Sequence, residues 1–303
     1  MQQKKYEDAA SLLTAAQKAS PDNKNLAIQA GRAQIFSGKK ADGEATLRAS
    51  LDGATDPEIL NDAAYELADS SLDLDLAEAS CKKALELLDK EASQFTLANL
   101  SNSDLRRLQL LTATWDTMGW IYFRKGDLPI AESYIRAAWF EDQRTEVGDH
   151  LGQIYEKEGK KQEAVNIYAL AEASSRTSPD PEGRNDMEKR LAALKGQGIR
   201  VSYSDPGAEL GQQRSAYIPQ LTKKYASAEF FVELSPEKIE NVAYIRGDNS
   251  LKTAEESLRK AELNVPFPKD SQAKLIRRGI LVCSEDGQKC QFAMLLPQST
   301  TTN

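Results

Sequence analysis

The chain has 303 residues, of which 40% are hydrophobic and 28% charged, a composition typical of a globular protein and a length that favours two domains. No stretch approaches the roughly 18 uninterrupted apolar residues of a membrane-spanning helix, so we predict no membrane span in this chain. One histidine, His150, and three cysteines, Cys81, Cys283 and Cys290, argue against multi-histidine and four-thiolate metal sites. These counts favour a protein without metal or cofactor, although they leave open enzymes that use only carboxylates.

The net charge of −7 is unevenly distributed. The first 196 residues contain 25 Lys and Arg against 33 Asp and Glu, whereas the residues from Gln197 onward contain 14 against 13. Phosphate binding needs a basic surface, so the acidic part disfavours a nucleic-acid partner. A solvated acidic surface without a binding role would explain the same charge.

A repeated pattern of small residues runs through the acidic part. With one longer interval, small residues recur roughly every 34 residues at Ala9, Gly43, Ala77, Ala131 and Ala164. A larger residue follows each small one. In the segments before the small residues, an aromatic residue precedes a glycine, as in Trp115–Tyr122. Small residues at this spacing let two helices approach closely, so the pattern predicts stacked helical hairpins. The longer interval, from Ala77 to Ala131, equals one period plus an insertion near residues 88–111.

The repeat resembles the tetratricopeptide repeat (TPR), a helix-turn-helix unit of about 34 residues. This resemblance covers about residues 1–173 and implies an α-solenoid; a helical bundle with accidental spacing is the alternative. The chain opens inside the second helix of a repeat, so we expect a longer protein upstream of Met1. Ser101–Asp104 predicts an N-cap for a long helix from about Asp104 to Lys125. A capping helix at 184–195 ends the predicted repeat domain, 1–196.

The hydrophobic period then changes from 3.6 to 2, which indicates strands. We predict a hairpin of Phe230–Leu234 and Ile239–Ile245 around a turn at Ser235–Lys238, then a helix carrying Leu251, Ala254, Leu258 and Ala261. A second hairpin, Leu275–Cys283 with Cys290–Leu296, follows. Residues 197–303 are thus predicted to form a small α+β domain, with the helix covering one face of the sheet.

Two further resemblances concern the C-terminal part. Glu229–Leu234, Asn241–Ile245, Gly247–Leu251 and the Phe267-Pro268 ending resemble the C-terminal domain of TonB-like proteins, from which only the fold carries over. The blocks at Trp115–Phe123 and Gly148–Lys157, followed by this domain, resemble the tail of bacterial exported transglutaminase-like proteins. That family has its catalytic residues upstream of the repeats, so none is assigned here. The resemblance implies a periplasmic or cell-envelope location.

In TPR proteins the first helix of each repeat lines a concave groove. The resemblance places these residues in the groove: Asn25, Ile28, Arg32, Asp62, Glu66, Asp116, Trp120, Asp149, Gln153 and Glu156. Arg32 is the only base among them, which favours a basic or neutral protein segment over a carboxylate, with Trp120 as a stacking surface. A half-buried Trp120 and an unused groove are the alternative. We expect His150 at the protein surface or the groove edge.

We therefore predict a non-enzymatic scaffold that binds a peptide or protein segment in the TPR groove. The alternative is the regulatory or substrate-positioning tail of a larger exported transglutaminase-like enzyme.

The two late cysteines are predicted to face each other. A two-residue turn at Asp286-Gly287 pairs Cys283 with Cys290 at a hydrogen-bonded position of the hairpin. Directly opposed residues lie within the range of a disulfide, and two free thiols are the alternative. The resemblance to exported proteins favours the disulfide. Cys81 stands at a packed position, where we expect a buried thiol.

Overall fold

The computed structural model describes residues 2–174, 181–236, 238–285 and 287–297. A helical repeat region is followed by a small α+β domain, which confirms the predicted fold class. The described helices are α1 (Gln2–Ala19), α2 (Lys24–Phe36), α3 (Lys40–Leu51), α4 (Pro57–Asp69), α5 (Leu74–Ala92), α6 (Asn102–Lys125), α7 (Leu128–Asp142), α8 (Thr145–Lys157), α9 (Lys161–Ala173), α10 (Pro181–Gly196), α11 (Pro206–Gln212) and α12 (Glu255–Arg259). The strands are β1 (Ser215–Pro219), β2 (Ala226–Ser235), β3 (Lys238–Gly247), β4 (Leu275–Cys283) and β5 (Lys289–Met294).

The small residues of the repeat lie where helices meet. A Cβ atom added to Gly43 on α3 would lie 2.6 Å from the carbonyl oxygen of Gly31 on α2. No side chain fits at that distance, so the two helices pack backbone against backbone. Ala77, Ala131 and Ala164, the equivalent residues of later repeats, are completely buried.

The long helix α6 begins close to the predicted residue. Ser101 Oγ accepts a hydrogen bond from the Asp104 N–H at 3.2 Å, and the Asp104 carboxylate accepts one from the Ser101 N–H at 2.8 Å. These reciprocal bonds satisfy backbone donors that the first turn of a helix cannot satisfy itself. The helix then continues to Lys125, as predicted.

The five described strands form one antiparallel sheet in the order β1-β5-β4-β2-β3. Both predicted hairpins are present, but the sequence interpretation missed β1 and α11. The predicted helix begins as a 3₁₀ helix, Asn249–Ala254, which contains Leu251 and Ala254 and continues into the short α12. Because α12 ends at Arg259, Ala261 lies outside the helix. Glu237, in the first predicted turn, lies outside the described residues.

The chain folds into two compact units. The first lies within Met1–Leu88 and Ala113–Ala131, and the second within Asp89–Thr112 and Glu132–Asn303. The second unit therefore combines most of α7, the helices after it and the whole sheet. The domain boundary at 196/197 stays a prediction.

Two buried arginines join the sheet to α7 inside the second unit. Arg277 on β4 forms an ion pair with Glu141, Nε to Oε2 at 2.5 Å, and both side chains are almost fully buried, 5% and 0% exposed. Arg214, just before β1, donates hydrogen bonds to the carbonyls of Phe140 and Glu141 on α7. It also donates to the carbonyls of Met294, the last residue of β5, and Leu295. One guanidinium thus supplies donors for the end of a helix and the end of a strand.

The cysteine hairpin has the predicted register. Cys283 pairs with Cys290 across β4 and β5, and their sulfur atoms are joined at 1.92 Å. Their Cα atoms are 4.3 Å apart, the spacing of a non-hydrogen-bonded pair, so the predicted hydrogen-bonded position is wrong. The reason lies in the turn: the Gly287 N–H donates to the Ser284 carbonyl, which starts the turn one residue earlier than predicted. Asp286 of that turn lies outside the described residues.

Candidate functional site

The candidate site is a pair of side-chain stripes in the first unit, one exposed on α2 and one mostly half-buried on α4. On each helix the least buried side chains follow a spacing of four, three and four residues, which places them on one face. The stripes sit at equivalent positions of successive repeats. They consist of Asn25, Gln29, Arg32 and Phe36 on α2, and Glu58, Asp62, Tyr65 and Asp69 on α4. We call these eight residues the α2–α4 surface.

An ion pair holds the two stripes side by side. Arg32 Nη1 on α2 lies 3.2 Å from Glu66 Oε1 on α4, with Glu66 buried and Arg32 half exposed. The same guanidinium lies over the ring of Phe36, 5.5 Å from its centroid. Arg32 therefore has intramolecular partners, and its charge is balanced by Glu66. Asn25 is exposed on the same face. Ile28 is buried, so its predicted position in the groove is wrong.

The carboxylates dominate the charge of the α4 stripe. Burial raises the pKa of Asp62 above its usual value, and the nearby charges of Glu58 and Asp56 add to this effect. The Asn61 side-chain amide donates a hydrogen bond to Asp62 Oδ1 at 3.1 Å and partly opposes the rise. Asp56 is also the N-cap of α4, where it accepts a hydrogen bond from the Glu58 N–H. A partly buried carboxylate among other acids is an unfavourable arrangement that a ligand cation would relieve.

The predicted groove residues on α6 are not accessible. Every residue from Thr114 to Ile121 is buried, including Asp116. Trp120 is only 4% exposed, and its indole N–H donates to Asp69 Oδ1 at 3.3 Å. Arg124 stacks over the same indole at 5.3 Å. The prediction of Trp120 as a stacking surface for a ligand is therefore wrong, because packing and these two contacts occupy the ring.

The remaining predicted groove residues lie on α8 in the second unit. Asp149 accepts a hydrogen bond from Gln153 at 2.8 Å, and Glu156 lies 3.5 Å from the guanidinium of Arg190 on α10. Burial raises the pKa of Asp149, whereas His150 and Arg190 lower it. These acids therefore already have a cation from the capping helix, unlike Asp62. His150 is only 4% exposed, so its predicted position at the surface or groove edge is wrong.

The sequence interpretation missed five members of the α2–α4 surface: Gln29, Phe36, Glu58, Tyr65 and Asp69. The same offset, close to one repeat, joins Asn25 to Glu58, Gln29 to Asp62 and Arg32 to Tyr65, so the sequence could have yielded Gln29, Glu58 and Tyr65. It also joins Phe36 to Asp69, but neither of these was predicted. In the part of the chain that the structure describes, no group of three or more His, Cys, Asp or Glu side chains could hold a metal ion. The described helices include none with the length and hydropathy of a membrane span.

Comparison with known families agrees with this location. A tetratricopeptide repeat family model matches residues 1–61, which contain α1 to α3 and the start of α4. Among curated proteins, none shows significant sequence similarity to this chain. Together with the helical hairpins, the match supports TPR repeats in this chain, and such repeats suggest a protein–protein interaction module.

Proposed function

We propose that the α2–α4 surface binds a basic or neutral segment of a partner protein, in an extended or helical form. The repeats suggest protein partners, and α2 and α4 lie in or border the matched part of the chain. Asn25 and Gln29 offer amides that can donate and accept hydrogen bonds. Phe36 stacks on Tyr6 and lies under Arg32, yet its side chain is still 40% exposed. The proposed role is recognition without catalysis.

One observation carries this proposal: Asp62 is partly buried, and the charges of Glu58 and Asp56 lie near it. Its protonation state responds to any charge that approaches. A lysine or arginine of the bound segment would lower the pKa of Asp62 and form a charge-assisted hydrogen bond with it. Tyr65, the next residue of the stripe, would contact the aliphatic part of such a side chain.

The test compares two matched double variants of the whole chain. Asp62→Asn with Glu58→Gln removes two charges from the α2–α4 surface, and Asp52→Asn with Glu86→Gln removes two exposed charges elsewhere in the first unit. The probe is a set of short fluorescent peptides that are basic, neutral or acidic, measured by anisotropy. We expect the surface variant to bind the basic peptides roughly tenfold more weakly. The control variant should bind them as the unchanged protein does.

The pH dependence gives a second readout. Binding of a basic peptide should strengthen as the pH rises and Asp62 loses its proton, and Asp62→Asn should remove that dependence. Equal binding by both double variants, or preference for acidic peptides, would reject the α2–α4 surface as the site.

A second candidate, favoured by the paired cysteines Cys283 and Cys290, is the tail of a larger exported transglutaminase-like enzyme. Disulfides persist in oxidising compartments, so the pair supports a periplasmic or cell-envelope location. In this proposal the repeats position a substrate or regulate the enzyme, and the TonB-like resemblance of the sheet domain belongs to the same envelope context. Reading the gene upstream of Met1 tests it: an upstream enzyme domain with a Cys, His and Asp set supports this role, and its absence rejects it.

A further inference from the structure

The two faces of the sheet differ in burial. Side chains alternate along each strand, and those on the face that carries Arg277 and Phe230 are buried. We call the opposite one the outer face; its side chains are only partly buried over most of its area. Its exposed and partly exposed members, read across the sheet from the strand pairing, include Tyr217, Gln291, Val282, Ser227, Ala293, Ile280, Glu229, Arg246, Arg278, Phe231 and Lys289.

The centre of the outer face is aliphatic. Val282 and Ile280 on β4 lie next to Ala293 on β5, and all three are partly exposed. A helix, by contrast, serves the buried side: Leu251 and Leu258, in the 3₁₀ helix and α12, have no exposed surface. The described residues therefore leave one side of the sheet without a covering layer, which sheets usually obtain from a helix or a second sheet.

The charged side chains of this face are mainly cations. Glu229 lies between two arginines, with Oε1 at 2.7 Å from Arg246 and Oε2 at 3.7 Å from Arg278. Its hydrogen bond to Arg246 is the largest influence on its pKa, which is lowered. Lys289 adds a third cation on β5. Glu233 on β2 shares this face but is buried and paired with Lys274 at 3.0 Å. Apart from it, Glu229 lies among three cations, in contrast to the acidic α2–α4 surface.

Exposed aromatic rings border the same face. Tyr217 on the edge strand β1 is 58% exposed, and Tyr225, one residue before β2, is 65% exposed. They are two of only five large hydrophobic side chains that are exposed among the described residues. Rings that combine an apolar body with a polar tip are common in protein interfaces.

We propose that the outer face docks an acidic amphipathic helix of a partner protein. Apolar side chains of that helix would cover Val282, Ile280 and Ala293, while its acidic side chains would pair with Arg246, Arg278 and Lys289. The excess of cations argues for an acidic occupant. The aliphatic centre and the carboxylate of Glu229 favour protein side chains over the phosphates of a nucleic acid.

The experiment uses the full chain and a synthetic helical peptide of about five turns. Leucines at positions i, i+3, i+4 and i+7 form its apolar face, and glutamates fill its other face. A second peptide replaces every glutamate by lysine, and a short oligothymidylate represents single-stranded nucleic acid. Fluorescence anisotropy measures the binding of each probe. We expect the acidic peptide to bind, and both other probes to bind at least roughly tenfold more weakly.

Variants locate the binding to the outer face. Arg246→Glu with Lys289→Glu reverses two exposed cations there, and Arg259→Glu with Lys260→Glu reverses two exposed cations on α12 and just after it as a matched control. The first variant should lose roughly tenfold or more in affinity for the acidic peptide, and the control should keep its affinity. Tyr217→Ser with Tyr225→Ser, which leaves the charges unchanged, should also weaken binding.

Three results would overturn the proposal. They are failure of the acidic peptide to bind, equal loss in the outer-face and α12 variants, and tighter binding of the oligonucleotide than of the acidic peptide. Because the α2–α4 variants leave this face untouched, each proposal can fail without the other.

Discussion

The Asp89 carboxyl group at the end of α5 is held in an unfavourable place. Burial raises the pKa of Asp89 to about 6, and the negative charge of Asp270 adds to the rise. The Asp270 carboxylate accepts a hydrogen bond from the Tyr134 hydroxyl. The unfolded chain loses the Asp89 proton at lower pH than the folded chain does. Stability therefore decreases as the pH rises through the interval between the two pKa values, and the full cost is present above about pH 6.

Asp89→Asn removes that cost, so it should stabilise the protein at about pH 7. It should change little at about pH 3, below both pKa values, where the folded and the unfolded chain both hold the proton. Urea unfolding of the second unit at both pH values measures the difference. Glu86→Gln, an exposed acid on the same helix, serves as the control. An equal effect of Asp89→Asn at the two pH values would contradict the raised pKa.

Replacing one partner of the ion pair between Arg277 and Glu141 should lower the stability of the fold far more than replacing both partners. Arg277→Met leaves Glu141 as a buried charge without its cation, which costs roughly 3–5 kcal/mol. Adding Glu141→Leu should recover much of that loss, because the unpaired charge is gone. Thermal unfolding of the two single variants and the double variant completes the cycle. Additive losses would show that the two side chains act independently.

Helix α1 should be the least stable helix of the first unit. Among its described side chains only Ala10 is buried, and Leu12 is 73% exposed, whereas α9 buries most of its length, from Ala164 to Ala171. Local opening is easiest where few apolar contacts must break. Hydrogen exchange should therefore be faster in residues 5–19 than in α2 to α4. Protection of α1 equal to that of α4 would disprove this expectation.

The hairpin of β4 and β5 should carry a disulfide in the native protein. Alkylation after denaturation without reductant should label Cys81 alone, and reduction should expose Cys283 and Cys290 to the reagent. Cys283→Ser with Cys290→Ser should cost about 2 kcal/mol, because the bridge closes a short loop. Labelling of all three cysteines without reduction would reject the bridge, and with it the main support for an exported location.

The sequence predicted most elements because their causes are local. The capping pair Ser101 and Asp104, the Gly43 contact and the alternation in β4 each act within one turn, one helix pair or one strand. β1 was missed because it is short and has no hairpin partner next to it in the sequence; its partner β5 is the last of the described strands. The family match falls on residues 1–61. The order of aromatic, glycine and alanine residues is less regular there than in Thr112–Ala173.

The site was harder to predict than the fold. The TPR resemblance placed Asn25, Arg32 and Asp62 in the groove; Asn25 and Arg32 are exposed, and Asp62 is partly exposed. It also placed Asp116 and Trp120 at equivalent positions, yet both are buried. Repeat position fixes the direction in which a side chain points from its helix. Whether that side remains open depends on packing from other parts of the chain, which one repeat does not contain.

The hydrogen bonds of Arg214 bear on how this protein could be taken apart. If residues 197–303 folded independently, they could be cut from the chain at 196/197 and joined to another protein. In this chain, however, that cut would separate the Arg214 guanidinium from the α7 carbonyls and Arg277 from Glu141. We expect a fragment of residues 197–303 to be poorly dispersed in proton NMR spectra, and a fragment of residues 132–303, which keeps these contacts, to be well dispersed. A well-folded 197–303 fragment would show that the sheet is a transferable module. If the 197–303 fragment does not fold, the last helical repeats and the sheet can be transferred to another protein only together.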